Sequence, residues 1–169
     1  YDSPSDVVQA LAEDFIAFTN EEISRTETCI VGITGGTVIN GLLETLNSAE
    51  YIERVNWERI FFVWTDERFL PQSHEDNYFN RVKPYLLCKA KGAAHFFPIN
   101  TNSKTVIEAA DEYEKEIGNV LKACKKSGLD LAILDLGEDG HTAGLFAGSH
   151  ALRVADRNVV PVEDGKVWE

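Results

Sequence analysis

Between Gly137 and Phe146 the chain reads Gly-Glu-Asp-Gly-His-Thr-Ala-Gly-Leu-Phe, which sets a carboxylate (Asp139), a glycine (Gly140) and an imidazole (His141) side by side. An imidazole near its ordinary pKa can take a proton from water at neutral pH, and a neighbouring carboxylate can fix its tautomer or raise its basicity. A histidine capping a helix start beside a solvated aspartate would be the plainer reading. A second polar cluster, Asp66-Glu67-Arg68, follows an apolar run directly. Arginine suits bidentate binding of phosphate or carboxylate, although three charges in a row also describe a solvated turn. The third cluster is Thr34-Gly35-Gly36-Thr37. Placed between a strand and a helix, it offers backbone N–H groups to an anion. It lacks the lysine of a nucleoside-triphosphate loop and the spaced glycines of a dinucleotide fingerprint, so an ordinary tight turn competes with it.

The segments around these clusters predict how they are mounted. Ser5 is placed to cap a helix whose apolar positions run from Val8 to Phe18 at helical spacing. Cys29–Ile33, Ile60–Trp64, Ala94–Pro98, Leu129–Leu134 and Val159–Val162 read as strands, rich in β-branched and aromatic residues or bounded by turn residues. Helices are expected over Val38–Leu46, around Asn77–Leu87, and over a long amphipathic stretch carrying Val106, Ala110, Tyr113, Ile117, Leu121 and Cys124. Alternating strands and helices imply an α/β fold, a three-layer Rossmann-like open, mostly parallel sheet with right-handed crossovers and helices on both faces. Ligands of such folds sit off the carboxyl ends of the strands, where all three polar clusters fall. Segments far apart in sequence are thus expected to meet around one pocket. The polar stretch Ser73–Asn77 would help line its mouth.

The chain's 169 residues suffice for a single domain over 1–169. It opens at Tyr1 and contains no methionine, which reads as a piece of a longer protein. Sixteen basic against 28 acidic side chains give a net charge of −12, a poor match for nucleic acid or an anionic membrane. No apolar run is long enough to cross a bilayer, and a cytoplasmic location is expected. Cys29, Cys88 and Cys124 are widely spaced among apolar residues and read as reduced core thiols. No two of His74, His95, His141 and His150 have metal-ligand spacing, so no metal is expected.

From about Ile30 to Val162 the chain resembles the family of glucosamine-6-phosphate isomerases and 6-phosphogluconolactonases. The Gly-Gly-Thr loop, the strand ending in Asp-Glu-Arg, Asn77-Tyr78, and Asp-Gly-His-Thr-Ala at 139–143 carry the resemblance. Lactonases of the family typically read Asp-Gly-His-Thr-Ala-Ser-Leu-Phe-Pro where deaminases read Asp-Gly-His-Ile-Ala-Phe-Asn-Glu-Pro. Thr142, Leu145 and Phe146 place this chain on the lactonase side. The resemblance implies hydrolysis of 6-phosphoglucono-δ-lactone in the oxidative pentose phosphate pathway, without a cofactor. His141 would be the base, with Asp139 supporting it. Arg68 would bind phosphate or the developing oxyanion, and Asp66 matches an active-site aspartate of the family. Thr34, Gly35, Gly36, Thr37, Asn77, Gly140 and Thr142 would line the substrate. An amino-sugar-phosphate deaminase, or a sugar-phosphate-binding part of a larger protein, is the alternative; fusion to glucose-6-phosphate dehydrogenase occurs among lactonases. Against the family pattern, Asp135 stands in place of a glycine, Asp76 and Gly144 in place of serines, and Ala147 in place of a proline. Family members continue past the strand near Val160 with a further strand, a helix and a phosphate-binding lysine, so the resemblance implies a domain over 1–169 that is incomplete at its C-terminus; Lys166 does not sit in that lysine's motif.

Overall fold

The computed structural model of the protein describes residues 1–88 and 94–162. The first helix, α1 (Pro4–Thr26), is capped by Ser3 and not by Ser5: the Ser3 hydroxyl accepts from the Asp6 N–H at 3.2 Å. Proline at the first helical position fixes that start, because its missing N–H would have no partner there. The chain continues through β1 (Cys29–Ile33), α2 (Thr37–Leu46), β2 (Ile60–Trp64), α3 (Tyr78–Cys88), β3 (His95–Phe97), α4 (Val106–Ala123) and β4 (Leu131–Ile133).

All strand pairs are parallel, in the order β3-β2-β1-β4. The chain therefore steps outward from β1 to β3, then returns past β1 to place β4 on its other side. Right-handed crossovers put α2 and α3 on one face and α4 on the opposite face. The three-layer arrangement expected from the alternation is the one observed. The reversal also marks a crevice between the carboxyl ends of β1 and β4, where open α/β sheets bind ligands.

Burial explains the layering. Every residue of β1 is buried, as a strand covered on both faces requires. Phe15 of α1 stacks on Phe62 of β2, which stacks in turn on Phe96 of β3. The edge strand is less covered: His95 is exposed, its ring stacked on Phe61. Beyond the last rung between β2 and β3 the phenol of Tyr113 continues the ladder. It accepts from the Trp64 N–H at 2.6 Å and donates to the Phe97 carbonyl at 2.8 Å. At the opposite end of the sheet the Lys126 ammonium donates to Asp130 at 2.7 Å and Glu22 at 2.9 Å. The other Asp130 oxygen accepts from the Ile30 N–H.

One expected strand is absent. Val159–Val162 pairs with no strand among the described residues. Its approach is instead tied to α4, where the Glu114 carboxylate accepts from the N–H groups of Asn158 and Val159. A carboxylate has taken the donors that a ladder would have used. Apolar character alone does not distinguish these outcomes. The Leu129–Leu134 run also shortens to Leu131–Ile133, leaving Leu129 and Leu134 exposed at its ends. Cys29 is buried and Cys124 partly so, both as free thiols, and burial pushes the Cys29 thiol up to about 12. The Cys88 side chain lies outside the described residues, as does Lys166.

Candidate active site

The three polar clusters all follow carboxyl ends of strands. After β1, Thr34 and Gly35 are buried and Gly36 opens α2 without a side-chain cap, leaving backbone N–H groups of the first turn, including that of Thr37, without one. Gly36 has φ +153°, a conformation reserved for glycine, and a Cβ there would collide with the Asp135 carboxylate. Gly35 lies flat against the ring of Tyr78, with no room for a side chain.

After β2, the Thr65 N–H donates to the Ile33 carbonyl at 2.9 Å, binding the second loop to the first. Asp66 is half-buried. Burial pushes its carboxyl up from the ordinary range, opposed by the Thr34 and Thr65 hydroxyls and raised further by Asp135. Arg68 holds Asp76 at 3.3 Å and lies over the Tyr78 ring, 5.1 Å from its centre. Its reach is thus set by an aromatic face and a carboxylate together.

Glu67, between them, was assigned no role from sequence, yet it locks the region. Its carboxylate accepts from the N–H groups of Arg68 and Tyr78, both at 2.8 Å, and of Phe79 at 2.9 Å. Two of these are orphan donors at the start of α3. Burial outweighs the three donors and holds the Glu67 carboxyl at about 7. The middle member of a charged triplet gives no sequence signal for this. Asn77 is wholly buried and caps α3, its Oδ1 accepting from the Asn80 N–H and its amide donating to Thr101 and Leu70. An asparagine just before a helix is a recognised capping signal. The adjacent His74 accepts from the Asp76 N–H at 3.0 Å, inside the same loop.

After β4 the chain does not enter a helix. Leu136 bridges to Thr142, which bridges to Leu145, and Gly140 turns at φ +83°. This fold-back brings His141 over Asp139, with Nδ1 and Oδ1 2.5 Å apart. The imidazole stacks on Phe146 at 4.6 Å and rests on Gly137, where a Cβ would strike the ring. The Thr142 hydroxyl donates to the Asp135 carbonyl at 2.9 Å. Asp135 is the joint of the site: its backbone holds the histidine loop, and its carboxylate meets Gly36 and acts on Asp66. Among the described residues no group of three or more His, Cys, Asp or Glu side chains could hold a metal ion, and no helix is long and apolar enough to cross a membrane.

A parallel α/β sheet with its polar loops gathered at the reversal of strand order defines the class: an open-sheet α/β protein with a histidine–aspartate pair beyond the strand ends. The family model described as glucosamine-6-phosphate isomerases/6-phosphogluconolactonase matches residues 2–167, and the chain belongs to that family. The chloroplastic 6-phosphogluconolactonase 3 of Arabidopsis thaliana is 28% identical over 97% of this chain and 53% of its own length. The 6-phosphogluconolactonase structure from Shewanella baltica superposes with TM-score 0.77 at 22% identity, over 90% of this chain and 62% of that one. That from Thermotoga maritima gives TM-score 0.71 at 26% identity, over 82% and 60%. The chain thus spans between about half and two thirds of these proteins' lengths.

Proposed function

We propose that this chain carries the water-activating end of a 6-phosphogluconolactonase, which hydrolyses 6-phosphoglucono-δ-lactone to 6-phosphogluconate. The observation that carries the reading is the His141–Asp139 pair, mounted on the loop beside the β1/β4 crevice. With Nδ1 held by Asp139, Nε2 takes a proton from water as the oxygen attacks the lactone carbonyl carbon. Collapse of the tetrahedral oxyanion breaks the ring C–O bond, and the imidazolium returns its proton to the departing ring oxygen. No cofactor enters this sequence.

Arg68 supplies the positive charge for the phosphate or the oxyanion, working locally against a net charge of −12. Backbone donors at Gly35, Gly36 and Thr37 and the Thr34 hydroxyl border the sugar phosphate, while Gly140 and Thr142 shape the histidine loop. Asp66 faces the same mouth. Asn77 contributes by holding the loop, since its side chain is spent on internal hydrogen bonds. Such an enzyme consumes the product of a sugar-phosphate dehydrogenase, and cooperation or fusion with glucose-6-phosphate dehydrogenase belongs to the same reading. A cytoplasmic setting agrees with the free thiols of Cys29 and Cys124.

The test is lactone hydrolysis by the natural full-length protein and its His141→Ala variant. Loss of the base is expected to lower kcat by about 10²–10⁴-fold with an unchanged circular dichroism spectrum. An unaffected kcat would remove His141 from the chemistry.

A further inference from the structure

Arg68, the cation of the proposed site, is fixed at its backbone and under its head by groups that meet at one side chain, Glu67. Oε1 of Glu67 accepts from the N–H groups of Arg68 and Tyr78, and Oε2 from that of Phe79. The first bond holds the backbone from which the arginine projects. The other two hold the start of α3, where the Asn80 N–H is taken by Asn77. The Tyr78 ring carried there lies under the Arg68 guanidinium, 5.1 Å from it, and Gly35 of the first loop closes against that ring without room for a Cβ. Phe79 stands edge-on to Trp64 at the end of β2, with ring centroids 5.6 Å apart. The Asp76 carboxylate, by contrast, is divided between Arg68 and Arg81 on the more exposed side, a weaker restraint.

We propose that Glu67 is a positioning residue, which ties the Arg68 backbone and the Tyr78 platform to one carboxylate and contributes to the reaction through Arg68. This rests on the reading of Arg68 as the cation for the phosphate or the oxyanion. The anchor depends on ionisation. A carboxylate offers two acceptor oxygens to the three N–H groups, whereas a protonated carboxyl turns one of them into a donor. The groups facing Glu67 are Asp66 and Arg68 from its own loop, Tyr78 from α3 and Tyr113 from α4. Burial pushes both phenols up, so they stay neutral, and the Asp66 charge opposes ionisation of Glu67.

The experiment measures lactone hydrolysis by the natural full-length protein, Glu67→Ala, Arg68→Ala and the double variant, with folded fractions set by circular dichroism. Glu67→Ala is expected to lower kcat/KM about tenfold or more, but less than about twofold once Arg68 is already alanine. Equal factors in the two backgrounds would show a purely structural role and overturn the proposal. Where Glu67→Ala does not fold, Glu67→Gln replaces it, since a carboxamide keeps the size and one acceptor oxygen. Its kcat/KM also gives a pH readout. The ratio of natural protein to Glu67→Gln should rise with pH through about 7, where the carboxyl gains its second acceptor. Titrations of His141 and of the substrate phosphate are common to both proteins and cancel in that ratio. A ratio independent of pH would overturn the proposal as well. Natural protein without lactone hydrolysis would sink the enzymatic reading and this proposal with it, whereas an active protein with equal factors sinks the positioning role alone.

Discussion

Held through Nδ1 by Asp139, stacked on Phe146 and resting on Gly137, the His141 ring has little freedom to rotate. On the proposed reading Asp139 acts by orientation and by supporting the imidazolium, and both depend on its negative charge. In Asp139→Asn the amide can select the wrong tautomer and offers no charge. A fall in kcat of about tenfold or more is expected, with KM little changed. Steady-state kinetics on the lactone decide it, and an unchanged kcat would confine Asp139 to shaping the turn. This pair was readable from residue types two positions apart. The setting of Asp135 was not: sequence marked it only as a residue out of pattern, because its partners Gly36 and Asp66 come from two other loops.

The elements were legible to the extent that a pattern of side chains determines them. Four of the five expected strands formed, while Val159–Val162 lost its ladder to Glu114, a long-range contact that no local pattern announces. Glu67 is the same lesson in reverse, a residue eleven positions before the start of α3 that satisfies the helix's first N–H groups. Glu67→Ala would leave these buried donors without a partner and is expected to cost about 1–3 kcal/mol in urea unfolding. The pH dependence has a definite sign. With its carboxyl raised to about 7 against 4.5 when unfolded, the folded state binds more protons across that window. Stability from this group therefore falls as pH rises from about 4.5 to about 7, by at most on the order of 3 kcal/mol. Glu67→Gln, which does not titrate, should gain stability relative to the natural protein between pH 5 and pH 8. A constant difference between the two would show that Glu67 does not titrate in that window.

For the molecule as a whole, 28 acidic against 16 basic side chains oppose the approach of an anionic substrate. Added salt screens that field, so kcat/KM for the lactone is expected to rise between about 10 and about 100 mM ionic strength. A steady fall over that range would indicate local attraction at Arg68 outweighing the global charge. The order β3-β2-β1-β4 has a further consequence for the chain's behaviour in concentrated solution. On the side of β4 away from β1, no strand among the described residues is paired, and Leu134, Leu136 and Leu145 lie exposed near that margin. Open strand margins of this kind template self-association. The 169-residue chain is therefore expected to scatter light increasingly with concentration, and Leu136→Lys, at the most exposed of these leucines, should delay the onset. Among the described residues, the same parallel order that gathers the three polar loops thus also makes β4 the margin from which association can start.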